Sequence, residues 1–175
     1  MAGALIKNLR HRYKLWRNIY SLAQRFDVLL EQGVTAKYVE GMEFGEHTTV
    51  QSGAYLYGSR SGKPFRVGRN TVISMGCVVL GEGGVEIGDY VHLGPRVVVT
   101  TQLGDSKSDP CVPEPVLKYL PVRIGAGAWI GAGSIIMPGT DLGPRTIVAP
   151  AAVVFGKFPE GAKLSGNPAR MQKRF

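Results

Sequence analysis

Aliphatic residues recur at every sixth position over the second half of the chain, at Ile124, Ile130, Ile136, Leu142, Val148 and Val154. The same beat runs upstream through Phe44, Val50 and Leu56, then Val67, Ile73 and Val79, then Ile87, Leu93 and Val99. An amphipathic helix repeats at about 3.6 residues and a strand at about 2, so a six-residue period fits neither. It fits a three-sided coil that returns an apolar residue to its axis once per side. The fifteen positions fall into five groups of three, which predicts about five stacked coils of a parallel β-helix, a mainly β fold. Gly45, Gly68, Gly88, Gly94, Gly125, Gly131 and Gly143 follow inward positions, where corners are expected to need backbone freedom.

The beat is interrupted in three places. Leu56 to Val67 carries five extra residues within the stretch Tyr57 to Pro64, Val79 to Ile87 carries two in a Gly-rich run, and Val99 to Ile124 carries nineteen. A solenoid can extrude loops at a corner without disturbing its stack, so the two longer excursions are where specificity is expected.

Upstream of the repeats the period changes. Leu5, Leu9, Tyr13, Trp16, Tyr20 and Ala23 form one helical stripe, with Lys7, Arg10, Lys14, Arg17 and Arg25 beside it and an apolar face widening from Leu15 to Leu30. The expected organisation is a basic amphipathic helix over residues 1–34, a β-helix over 35–156 and a C-terminal tail over 157–175. The apolar stripe is expected to dock on the prism or on a neighbouring subunit; peripheral contact with an anionic membrane is the alternative.

A chain of 175 residues with 44% hydrophobic content suffices for one core. Its net charge of +8 is concentrated at the two ends, +4 in residues 1–34 and +4 in 157–175, while the coils between balance ten basic against ten acidic residues. That distribution argues against a nucleic-acid-binding face. Cys77 and Cys111 are too few for a disulfide scaffold and lack metal-ligand spacing. No apolar stretch approaches a membrane span and no signal-peptide centre is visible, so a cytoplasmic location is expected.

The run VRIGAGAWIGAGSIIMPGTDLGPRTIVAPAAVV at 122–154, followed by FPEGAKLSGNPAR at 158–170, resembles the bacterial hexapeptide acyltransferases, most of all the maltose, galactoside and polysaccharide O-acetyltransferases. The likeness covers residues 40–175. It implies a left-handed β-helix, a homotrimer, and acyl transfer from acetyl-coenzyme A to a small-molecule sugar or nucleotide-sugar acceptor in a groove between subunits. The co-substrate is expected along Trp129, Ala132, Pro150, Phe155 and Gly156, with Asn167, Arg170 and Lys173 near its nucleotide end. Lys157, Lys163, Arg170, Lys173 and Arg174 are suitable donors for its phosphates. No metal is expected.

The chain departs from the family where the proton is handled. The family's loop histidine is absent from Thr100-Thr101-Gln102-Leu103-Gly104-Asp105, and its asparagine falls at Ser74. A hydroxyl attacking a thioester still needs a base. Of three histidines, His11 lies in the N-terminal helix and His47 at a corner. His92 precedes inward Leu93 and therefore points out of a flat wall, where it is expected to stack against Trp129 one coil on, near the root of the long excursion. His92 is the candidate base, with Asp105 and then Asp109 to orient it or to bind the acceptor. Arg60, Lys63 and Lys107 in the excursions hint at an anionic or nucleotide-linked sugar. Two alternatives remain: a trimeric scaffold that has lost its chemistry, and a zinc-dependent hydratase of the carbonic anhydrase type, which would need three converging histidines.

Overall fold

Three flat walls, each one side of a stacked coil, make up most of the molecule. The computed structural model describes residues 2–105 and 116–174, without the side chains of residues 2–8, 11, 12, 173 and 174. The first wall stacks Val28–Leu30, Thr48–Val50, Val72–Ile73, His92–Leu93, Trp129–Ile130, Ile147–Val148 and Ala162–Gly166 in parallel. The second stacks six strands from Thr35–Lys37 to Val153–Val154, and the third six from Met42–Phe44 to Lys157–Phe158. This is a left-handed parallel β-helix of about six turns with one helix at its N-terminus.

All fifteen residues of the six-residue beat are buried along the axis, none above 6% exposed. Coils the chain pattern did not reveal extend the stack at both ends. Val28–Leu30 pairs in register with Thr48–Val50, so the chain is already in the first coil where the apolar pattern suggested helix. The helix itself ends at Arg25. At the other end Lys157–Phe158 and Ala162–Gly166 add two more sides, and Ala169–Arg174 folds back antiparallel against Ala162–Gly166. That returning strand occupies the edge of the first wall, where an unpaired strand would invite aggregation.

Corners are built differently from the expectation. The seven glycines after inward positions have no left-handed backbone; they are needed because the next coil passes too close for a side chain. A Cβ at Gly131 would stand 2.5 Å from the Pro150 nitrogen. The left-handed turn falls two residues later, at Arg96, Gly127, Gly133 and Arg145 among others.

The helix covers the N-terminal end of the stack. Leu22 is fully buried in the core, Asn18 Nδ2 donates to the Ala36 carbonyl at 2.9 Å, and Phe26 packs edge-on to Phe44. Docking therefore uses Leu15, Asn18, Ile19 and Leu22. The stripe expected to dock is on the other side: Leu9, Tyr13, Trp16 and Tyr20 are all more than half exposed. Hydrophobic content alone did not identify the face that docks on the chain's own prism, because the docked stripe is short, mixed and partly polar while the exposed one is aromatic.

Cys77 is buried and donates to the Gly94 carbonyl, and burial pushes its thiol up to about 11, which leaves it protonated and unreactive. Cys111 lies outside the described residues. The stacking argument makes Gly131→Val a severe lesion, since no flexible group lies in the way to yield: we expect a loss of more than about 2 kcal/mol in denaturant unfolding, against a near-neutral effect of the same change at Gly104, where nothing lies within 4 Å.

Candidate active site

Register places the candidate residues. His92 pairs directly with Trp129 on the first wall, and their rings stack at 4.4 Å between centroids with planes 12° apart. The expectation of stacked neighbours is met. His92 Nε2 also lies 3.4 Å from Ser74 Oγ, on a buried residue at the position expected to correspond to the family's asparagine. Ser74 and Trp129 thus bracket the imidazole, one from just after the preceding strand and one from the following strand.

The outward residues of this wall form a continuous column. It runs Thr49, Val72, His92, Trp129, Ile147, Lys163 and, on the returning strand, Lys173. An imidazole and an indole at its middle therefore connect to cationic positions at its end, three strand spacings of about 4.8 Å below Trp129. The Lys173 side chain lies outside the described residues. Arg170, also on the returning strand, is exposed.

The other expected co-substrate residues separate into two groups. Ala132 and Pro150 are exposed at the corner between the first and second walls, where the Ala151 amide donates to the Ala132 carbonyl, and Asn167 is exposed in the turn before the returning strand. Phe155 and Gly156 lie across the second wall, toward its far edge; Phe155 is 54% exposed.

Every interruption of the six-residue beat leaves from that far edge, between the second and third walls. Residues 58–64 follow Tyr55–Tyr57, residues 81–84 follow Val78–Leu80, and the long excursion follows Val98–Thr100. Its described part is an antiparallel arm, Gln102–Gly104 against Leu117–Tyr119. In a three-sided prism this edge is opposite the first wall. The root of the arm is therefore remote from His92 in the same chain, which corrects the expected proximity. Asp105 sits in the arm with its carboxylate 2.9 Å from Lys118 Nζ. Asp109 and Lys107 fall outside the described residues.

The sequence reading missed what the arms create there. A cleft of about 660 Å³ is lined by Lys63, Glu82, Tyr119, Arg123, Asp141 and Lys157 among others. Glu82 is nearly buried and accepts from both the Arg60 amide at 3.1 Å and Arg60 Nε at 3.3 Å, while Ser59 Oγ donates to its carbonyl. The two extra residues after Val79 carry this carboxylate, so the short interruption anchors the longer one. The third wall beside it shows a column of alternating charge, Glu43, Arg66, Glu86, Arg123, Asp141 and Lys157. Arg66 pairs with Glu43 at 2.8 Å and Arg123 with Glu86 at 3.1 Å. Lys157, expected to hold phosphate, belongs to this column.

His47 meets Asp27 at 3.1 Å on an exposed corner, and the outward strand position beside it, Thr49, is separated from His92 by the Val72 rung. The His11 side chain is outside the described residues. Among the described residues no three His, Cys, Asp or Glu converge as a metal site.

Two family models match the chain. One, described as bacterial transferase hexapeptide (six repeats), covers residues 121–156, and the other, hexapeptide repeat of succinyl-transferase, covers residues 56–80. Both models recognise hexapeptide repeats in these two stretches of the chain. Nodulation protein L of Rhizobium meliloti (strain 1021) is 38% identical to this chain over 107 residues, which are 61% of this chain and 57% of that one. The match thus spans little more than half the relative's length. Among solved structures, a single-site mutant of AntD, an N-acyltransferase from Bacillus cereus in complex with dTDP-4-amino-4,6-dideoxyglucose and coenzyme A, superimposes with a TM-score of 0.74 at 20% identity, covering 89% of this chain and 88% of that one. A maltose O-acetyltransferase from Clostridium difficile 630 matches with a TM-score of 0.61 at 25% identity, over 84% and 66% of the two chains. A hexapeptide-repeat acetyltransferase of Vibrio cholerae complexed with acetyl coenzyme A gives 0.61 at 22% identity, over 89% and 75%. At 20% and 22% identity the AntD and Vibrio likenesses establish the fold alone.

The Glu82 anchor has a measurable consequence. In Glu82→Ala the Arg60 loop loses its buried acceptor, so trypsin is expected to cleave after Arg60 at least tenfold faster, with a stability loss of about 1–3 kcal/mol. Limited proteolysis followed by mass spectrometry reads that site.

Proposed function

We propose that this protein is an acyl-CoA-dependent acyltransferase that moves an acetyl group to a hydroxyl or amine of a sugar or nucleotide-linked sugar, at a boundary between the subunits of a homotrimer. One observation carries the reading: a histidine stacked on a tryptophan in the middle of a wall column that ends in basic residues. Such a column suits a thioester at its middle and phosphates at its end. The relatives bound to coenzyme A and a sugar nucleotide support the same substrate classes.

The chemistry follows from His92. Its neutral imidazole accepts the proton of the acceptor hydroxyl or amine as that oxygen or nitrogen attacks the thioester carbonyl. The carbon–sulfur bond then breaks, and the imidazolium returns the proton to the departing coenzyme A thiolate. With Nε2–H donating to Ser74 Oγ the ring offers an unprotonated Nδ1 to the acceptor, and the Trp129 indole stacks on its face. Trp129, Ala132, Pro150, Phe155, Gly156, Asn167, Arg170 and Lys173 are the proposed contacts of the co-substrate.

The subunit boundary is supported by where the parts lie. The arm cleft and His92 are on opposite sides of one prism, so the acceptor loops of one copy reach a base only on another copy. Asp105, on the arm, is accordingly proposed to act toward the His92 of a neighbour. The walls are suited to this: the outward column of the second is Tyr55, Val78, Val98, Ile135 and Val153, all partly exposed and apolar, whereas the third carries compensating charges suited to water.

Acetyl-coenzyme A at a hundred times its dissociation constant should stabilise the protein by about 2.7 kcal/mol in thermal melting. His92→Asn should keep that shift and lower turnover by about a hundredfold or more, measured as thiol release with amino-sugar and sugar acceptors. Unchanged turnover would move the base elsewhere, and the absence of any shift would favour a scaffold. Val98→Glu should yield a folded monomer in analytical ultracentrifugation, without turnover; a trimer surviving that change would displace the proposed interface.

A further inference from the structure

The helix that seals the stack presents a second face with no partner among the described residues. Leu9, Tyr13, Trp16 and Tyr20 lie along it at spacings of four, three and four residues, each more than half exposed. Arg10, Lys14 and Arg17, all exposed, form the adjoining stripe. Over Ala2–Arg25 the chain has six basic residues and no acidic one. The docked residues Leu15, Asn18, Ile19 and Leu22 are on the opposite side, so the aromatic face points away from the prism.

We infer that this face seats the protein on an anionic lipid surface, with the helix lying flat between bilayer and prism. Tyrosine and tryptophan combine an apolar ring with a polar edge and partition to the headgroup boundary. A flanking row of Arg and Lys adds attraction to anionic headgroups. The helix is not long and apolar enough to cross a membrane, so the binding is peripheral.

Charge decides against a second copy of this helix as occupant, since apposed helices would bring cations together without an acidic partner. Ring geometry decides against a single-stranded nucleic acid. Tyr13, Trp16 and Tyr20 already stack on one another at 6.1 and 5.4 Å, so their faces are not open to bases. The inference does not depend on the acyltransferase reading, because none of these residues belongs to the proposed site.

The test is sedimentation of the full chain with vesicles of phosphatidylcholine alone or with about one third phosphatidylglycerol. Binding is expected only to the anionic vesicles and should weaken with salt. Trp16→Ser with Tyr20→Ser, and separately Arg10→Glu with Lys14→Glu and Arg17→Glu, should each lower it at least tenfold while leaving the melting temperature unchanged. In a Trp129→Phe background, Trp16 emission should shift to the blue on binding. Equal binding to neutral vesicles, undiminished binding by either variant, a change of oligomeric state in the Trp16→Ser and Tyr20→Ser protein, or tighter binding to an oligonucleotide than to vesicles would each overturn the inference.

Discussion

Close stacking of coil on coil is the constraint to which the rest of the structure answers. Backbone amides of one coil donate to carbonyls of the next at 2.7–3.0 Å around the prism, as from Gly125 to Leu142 and from Trp129 to Thr146. Successive coils therefore repeat at strand spacing on all three sides. That closeness removes the room for a Cβ at Gly125 and Gly131 and requires the chain to turn in a left-handed conformation shortly afterwards. It also makes the column, rather than the segment, the unit of this molecule. Residues far apart in the chain, such as 92 and 129, become immediate neighbours because nineteen intervening extra residues are expelled at a corner.

Much of this was legible in advance, and the boundary of legibility has physical causes. A six-residue repeat reports its own register, so the fifteen axial residues and the His92–Trp129 pairing could be read directly. The first coil could not, because Val28–Leu30 and Thr35–Lys37 supply only Val28, Leu30 and Ala36 toward the interior, too little to carry a beat. The helix face was misread for a related reason. Amphipathic patterning finds the most apolar stripe, yet the end of a narrow prism accepts only a small footprint, filled by Leu22 and the Asn18 amide. The relation of His92 to the long arm depended on which corner extrudes it, and periodicity does not say which of three corners faces a given wall. The Glu82 anchor had a faint signal, a lone carboxylate among the glycines of residues 81–84.

The three walls divide the chemistry among themselves. The first carries a histidine, an indole and cations in one line; the second is aliphatic and aromatic; the third alternates acid and base from Glu43 to Lys157. Such a charge ladder neutralises itself on one chain, and each exposed pair contributes modestly to stability. Its larger effect is to keep that wall in water, since exposed and mutually compensated charges are costly to bury against an apolar partner. Polarity thereby distinguishes walls that have nearly the same backbone.

Confinement of every insertion to a single edge has an evolutionary side. Residues can be added or removed between the second and third walls without shifting any rung against its neighbours, because the hydrogen-bonded strands resume in register at Phe65, Val85 and Val122. The prism thus behaves as a spine with one open margin. Lineages carrying it are free to rewrite what they recognise by lengthening or trimming that margin, while the opposite wall keeps its ladder of side chains unaltered.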